Sequence, residues 1–137
     1  MWALSAIMYE MRMGSSLFSA SKGKKKYREL MEKGDFTVPK DDYSLEFLHL
    51  LSETLVRDQE KRMKWDNFVE HPFFTATELT PLSELGIPFE ALTFNIKTMS
   101  LQRLIKIIVK EYGPKKLKEK LSTKGYQDPN YYSEEFD

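Results

Sequence analysis

Arg57-Asp58-Gln59-Glu60-Lys61-Arg62-Met63-Lys64-Trp65-Asp66-Asn67-Phe68-Val69-Glu70-His71-Pro72-Phe73-Phe74 is the stretch on which the reading of this chain turns. Five of its first six residues are charged, so it opens as a water-facing loop. Trp65, Phe68 and Val69 then fall at helical spacing and predict a short helix over 65–71 with one apolar face. Asp66 in the first turn suits the positive end of the helix dipole. Pro72 stops that helix and biases His71 away from helical geometry. Phe73 and Phe74 follow as a bulky plug that is expected to be buried.

These residues resemble the end of the eukaryotic serine/threonine protein kinase domain, in the C-terminal lobe that makes up its final third. The family writes Arg-Asp-Pro-x-x-Arg-x-Ser/Thr, a short helix, then His-Pro-Phe/Trp. Arg57, Asp58, Arg62, His71, Pro72 and Phe73 match. Gln59 replaces the proline, Lys64 the Ser/Thr cap and Asn67 a glutamate; losing such a cap costs ~1 kcal/mol. The run Arg62-Met63-x-Trp65-Asp66-x-Phe68 is most similar to the autophagy-initiating (Unc-51-like) kinases.

Working outward, residues 2–13 are apolar nearly all round the helical wheel and end at Gly14, which predicts a helix buried on every side. They resemble the family's central helix, Asp-x-Trp-Ser/Ala-x-Gly-x-x-x-Tyr-Glu-Met. Trp2, Ala3, Tyr9, Glu10 and Met11 match, Ser5 stands in place of the glycine, and the Asp would precede Met1. Residues 14–23 form a polar loop in which Phe18 resembles a buried family aromatic. Tyr27, Leu30 and Met31 give 24–33 one apolar stripe, and Gly34 ends it. Asp35-Phe36-Thr37 resembles the start of a kinase Asp-Phe-Gly motif, but Thr37 and its position leave it a loop before Val38-Pro39. Leu45, Leu48, Leu51 and Leu55 predict a helix over 43–56, capped by Asp42 or Ser44, with His49 a surface or packed residue rather than a ligand.

The kinase resemblance ends near Phe74. Residues 75–97 connect, with a helical turn at Thr80-Pro81-Leu82-Ser83-Glu84-Leu85-Gly86: Thr cap, Pro at the first position, Gly at the exit. Residues 98–124 read as basic amphipathic helices; Leu101, Leu104, Ile105, Ile108 and Tyr112 share one face. From Lys97 to Lys124 nine Lys/Arg stand against Glu111 and Glu119, a net of +7, and residues 125–137 are acidic and Tyr-rich. Arg103, Lys106, Lys110, Lys115, Lys116, Lys118 and Lys120 are the candidate partner-binding residues. The fold class expected is all-α: kinase-like C-lobe helices (1–74) followed by a helical extension whose apolar face helps cover helix 2–13.

Composition narrows the chemistry. The 137 residues carry 21 basic and 21 acidic side chains and no Cys, which excludes disulfides and Cys-ligated zinc. Only two imidazoles, His49 and His71, are available, in different elements, and no metal-ligand spacing or Ser-His-Asp pattern occurs. Gly23-Lys24 is not a phosphate loop, because Lys25 stands where Ser/Thr is required. No run approaches the ~20 apolar residues of a membrane span, and residues 1–13 lack a basic region and a cleavage site. A cytoplasmic protein is expected, with no small-molecule substrate and no nucleic-acid partner.

A protein kinase needs a Gly-rich loop, a strand lysine, a catalytic Asp with its Asn, and a metal-binding Asp. None is matched here. The resemblance pairs Arg62 with the Glu of Ala-Pro-Glu, which this chain lacks; a buried charge deprived of its partner costs ~3–5 kcal/mol. Arg62 must be solvated, find another carboxylate, or be completed by another chain. The expected function is therefore a non-catalytic, pseudokinase-type interaction or structural subunit of a larger assembly, without cofactor. One alternative is the C-terminal part of a longer serine/threonine kinase, which alone would need ATP and Mg. Another is a basic helical module that binds an acidic surface.

Overall fold

The computed structural model describes residues 1–18, 23–87 and 89–112. Six α-helices and two strands run in the order α1 (Trp2–Met13), α2 (Gly23–Lys33), β1 (Asp35–Val38), α3 (Leu45–Thr54), α4 (Trp65–Val69), α5 (Pro72–Thr75), β2 (Leu92–Asn95) and α6 (Ser100–Tyr112). Short 3-10 turns occupy Gln59–Lys61 and Leu82–Leu85.

Helix α3 is the centre. Ser44 opens it by accepting the Phe47 N–H at 3.1 Å, the capping expected of that position. Nine of its ten residues are buried. Four leucines and Phe47 supply the apolar contacts that hold it there. Four polar side chains, Glu46, His49, Ser52 and Thr54, go in with them.

Helix α1 departs from the expectation of a helix buried all round. Only Ser5 and Tyr9 are buried, whereas Ile7 is 53% and Met11 80% exposed. It rests on α3 along one edge. The hydroxyls of Ser5 and Thr54 meet at 2.6 Å there. Thr54 spends its proton on the Leu50 carbonyl at 2.7 Å, so Ser5 donates and Thr54 accepts. A serine at the family's glycine position is thus tolerated because its hydroxyl has a partner.

Gly34 ends α2 with a φ of +82°, and its amide donates to the Leu30 carbonyl. A Cβ at that position would lie 3.1 Å from Cγ1 of Ile96, so both the turn and the close approach favour glycine. The chain passes straight into β1, which pairs antiparallel with β2: Asp35 with Asn95, Phe36 with Phe94, Thr37 with Thr93, Val38 with Leu92. This sheet corrects the all-α expectation and the reading of 35–37 as a loop. Phe36 and Phe94 point inward with ring centroids 5.9 Å apart, and Thr37 meets Thr93 on the outer side. Each strand has only four residues, and the partners lie more than fifty positions apart. A period-2 pattern that short carries little signal until the pairing is known.

The α4–α5 corner corrects two more expectations. In α4 only Phe68 is buried, with Trp65 59% and Val69 45% exposed, because a five-residue helix sends one side chain down. Lys64 gives α4 no side-chain cap, as its type implies. Pro72 begins α5 at its first position rather than ending the chain's helical course, and Phe74 is 48% exposed. In the turn at Leu82–Leu85, Gly86 makes the left-handed exit, but Pro81 rather than Thr80 is the cap.

Helix α6 buries Leu101, Ile105, Ile108 and Val109, and it packs chiefly against α3. The extension is therefore part of the core. Ile105→Ala, at a fully buried position, is expected to lower unfolding free energy by ~2–5 kcal/mol in urea titration. A change within ~0.5 kcal/mol would mean that α6 is not packed on α3.

Candidate functional site

Two features stand out: a buried polar relay and an open apolar groove. The relay joins two imidazoles that lie 22 positions apart. His71 caps α5, and its Nδ1 accepts the Phe73 N–H at 2.9 Å. That nitrogen therefore carries no proton, and Nε2 does. Nε2 donates to His49 Nδ1 at 2.7 Å, leaving the His49 proton on its own Nε2, which faces Glu53 Oε1 at 3.8 Å. The other oxygen of Glu53 accepts from Gln102 of α6 at 3.0 Å.

Both rings are buried. Burial holds both imidazoles well below their ordinary pKa, reinforced at His49 by the Lys106 charge and at His71 by His49 itself. One neutral imidazole–imidazole hydrogen bond thus ties the start of α5 to α3, and a separate bond from Gln102 to Glu53 ties α6 to α3. The relay has no access to a substrate. Among the described residues no cluster of three His, Cys, Asp or Glu side chains could hold a metal ion.

The groove lies between α1, the start of α3 and the α4–α5 corner, with a volume of about 700 Å³. Leu4, Met8 and Met11 form one wall; Phe68, Phe73, Phe74 and Leu79 form the other; Phe47 lies among the lining residues. Its lining also includes Ser44, already committed as a cap, and Arg12, which is paired with Asp41 at 3.0 Å. Ring contacts run from Trp65 to Phe68 (5.6 Å), Phe68 to Phe74 (5.1 Å) and Phe74 to Phe73 (5.2 Å), so the aromatic wall continues onto the surface. The lining is rich in aromatics and Met with one Arg and no Lys, Asp or Glu, the composition of a protein-interface centre.

The family-matched positions make the following contacts. Trp2, half-buried, lies under the Arg62 guanidinium, 5.3 Å from the ring centroid. Arg62 donates to the backbone carbonyls of Val56 at 3.1 Å and Arg57 at 3.4 Å, and no carboxylate pairs with it among the described residues. Partial burial lowers its pKa. Backbone dipoles and an aromatic face thus take the place of the absent glutamate. Arg57 instead holds α2, donating to Glu32 at 2.8 Å and to the Met31 carbonyl at 3.0 Å. Asp58 caps the 3-10 turn by accepting the Glu60 N–H. Glu10 is exposed, and its carbonyl accepts the Gly14 amide. His71, Pro72 and Phe73 meet at the α5 start.

Of the basic candidates, Arg103 and Lys110 are exposed on α6 and Lys106 is half-buried near His49. Lys115, Lys116, Lys118 and Lys120 lie outside the described residues, as do the rest of the expected 98–124 helices beyond Tyr112 and the 125–137 tail. The sequence reading missed the histidine contact and the groove. A signal existed for the first: His49 lies four residues after Leu45, on α3's inner face, and a His before Pro can cap the helix that follows.

Over 79 residues, 54% of the chain, the sequence is 33% identical to Serine/threonine-protein kinase ULK4 of Mus musculus. The chain is kinase-like in sequence. It spans about 6% of that protein's length. No family model and no solved structure matches it. Among the described residues no helix is long and apolar enough to cross a membrane.

The relay makes stability pH-dependent with a definite sign. Both histidines bind protons more readily unfolded, near 6.5, than folded. Stability is full above that value and falls as pH drops below it, by up to about 1.4 kcal/mol per pH unit for each histidine. Urea unfolding between pH 7 and 5, above most carboxylate titration, should show this loss. His71→Asn, which keeps a capping side chain, should roughly halve the slope. A flat profile in wild type would rule out the neutral relay.

Proposed function

We propose that the chain is a non-catalytic module derived from the C-terminal lobe, the last third, of a protein kinase domain, of Unc-51-like type, acting as an interaction or structural subunit. The observation that carries this reading is the groove between α1 and the α4–α5 corner. It is large, apolar and open. Its two polar side chains are already engaged, so it offers no converging nucleophile, base or phosphate cradle. Such a surface gains free energy by burying apolar area against another surface, and exposed patches of this kind mark interaction sites. The partner is a protein within a larger complex in a cytoplasmic setting. No ATP or Mg is needed.

A second reading is favoured by one finding, the 6% span of the kinase relative. In it the 137 residues are the C-terminal part of a kinase domain in a longer chain, and preceding polypeptide lies against α1. The groove is then an internal contact, and the catalytic groups belong to that other segment.

The test is a titration of the 137-residue chain with ATP and Mg, read by thermal unfolding and by phosphate transfer to a generic protein acceptor. A ligand at 100 times its Kd stabilises the native state by ~2.7 kcal/mol. No shift in unfolding temperature and no transfer are expected at millimolar ATP. A saturable shift or measurable transfer would contradict the non-catalytic reading.

A further inference from the structure

We propose that the groove is filled by the α1 ridge of a second copy of this chain, giving a two-fold symmetric dimer. The inference rests on the reading of the groove as a protein contact surface and names the partner.

The filler stands beside the gap. Ile7 and Met11 lie one turn apart on α1 and are 53% and 80% exposed, and Met11 also lines the groove. A projecting ridge adjoining a trough of matching chemistry is self-complementary. Turned about a two-fold axis, each copy places its ridge in the trough of the other, and the contact closes after two copies. Methionine suits the role, because its unbranched, polarizable side chain adapts to an irregular aromatic wall.

The area agrees. Ile7, Met11, Trp65, Val69, Phe74 and Leu79 are all at least 40% exposed. Together they leave on the order of 600 Å² of apolar surface open, at the upper limit of the largest patch on typical monomers. With the groove walls added, this approaches the ~800 Å² per partner of a stable interface.

Electrostatics do not oppose the contact. Arg12, the charged side chain of the lining, is neutralised within its own copy by Asp41. Glu10 points away from Met8 but follows Ile7 by three positions, so it stands exposed at the rim of the ridge, where its charge remains in water. The chain as a whole has no net charge.

The experiment is sedimentation equilibrium on the 137-residue chain from about 2 to 200 µM, with anilinonaphthalene sulfonate binding measured in parallel. Wild type should approach twice 16.2 kDa within this range. Met11→Lys, at a mostly exposed position, should weaken association at least tenfold with helical content unchanged. Glu29→Lys on the exposed face of α2 should leave it unchanged. A wild-type monomer throughout, a dimer indifferent to Met11→Lys, or open-ended association would each overturn the dimer. A monomer that binds the dye, with binding lost in Met11→Lys, leaves the contact-surface reading standing without the second copy. A monomer that binds no dye removes both.

Discussion

The structure depends on the burial of one helix that is not wholly apolar. Helix α3 takes Glu46, His49, Ser52 and Thr54 into the core with its leucines. A buried polar group without a partner costs several kcal/mol in the worst case, so each must be answered by the protein itself. Ser52 turns back on the His49 carbonyl. The other three are answered from different directions: Ser5 of α1 donates to Thr54, the Thr80 amide donates to Glu46 at 2.5 Å, and His71 of α5 donates to His49. Glu53 then reaches Gln102 of α6. Leucines alone would let neighbouring helices slide over α3. These bonds fix where each one sits.

That constraint explains how the groove is held open. The wall from α1 is pinned through Ser5 and through the Tyr9 hydroxyl, which donates to the Thr37 carbonyl of β1. The wall from α5 is pinned through His71. Neither can close toward the other without breaking a buried hydrogen bond. Apolar collapse would otherwise favour bringing Met8 and Met11 against Phe73 and Phe74. The groove is therefore a product of core polarity, and a contact surface is positioned by groups that never touch the partner.

Much of this was legible in residues 43–74. The helix at α3, its Ser44 cap, the uncapped Lys64 and the helix start at α4 all follow from local chemistry. What failed was the assignment of the central role. Residues 2–13 are more uniformly apolar than 45–54, yet α3 is the buried helix, because burial is decided by how many neighbours surround an element. The sheet was hidden because Phe36 and Val38 need Phe94 to show their purpose. The histidine pair was hidden because nothing between positions 49 and 71 announces their meeting. For Arg62 the sequence left solvation, another carboxylate or another chain open; the contacts it makes, two carbonyls and the face of Trp2, depend on backbone geometry.

Native-state hydrogen exchange tests the central claim most directly. If α3 and its polar partners form one cooperative unit, the amides of α3, the Phe94 and Ile96 region and the inner face of α6 will exchange with one common opening free energy, equal to that of global unfolding. Exchange from α6 at a free energy well below that of α3 would contradict the account, since the extension would then be an appendage rather than part of the core that α3 organises.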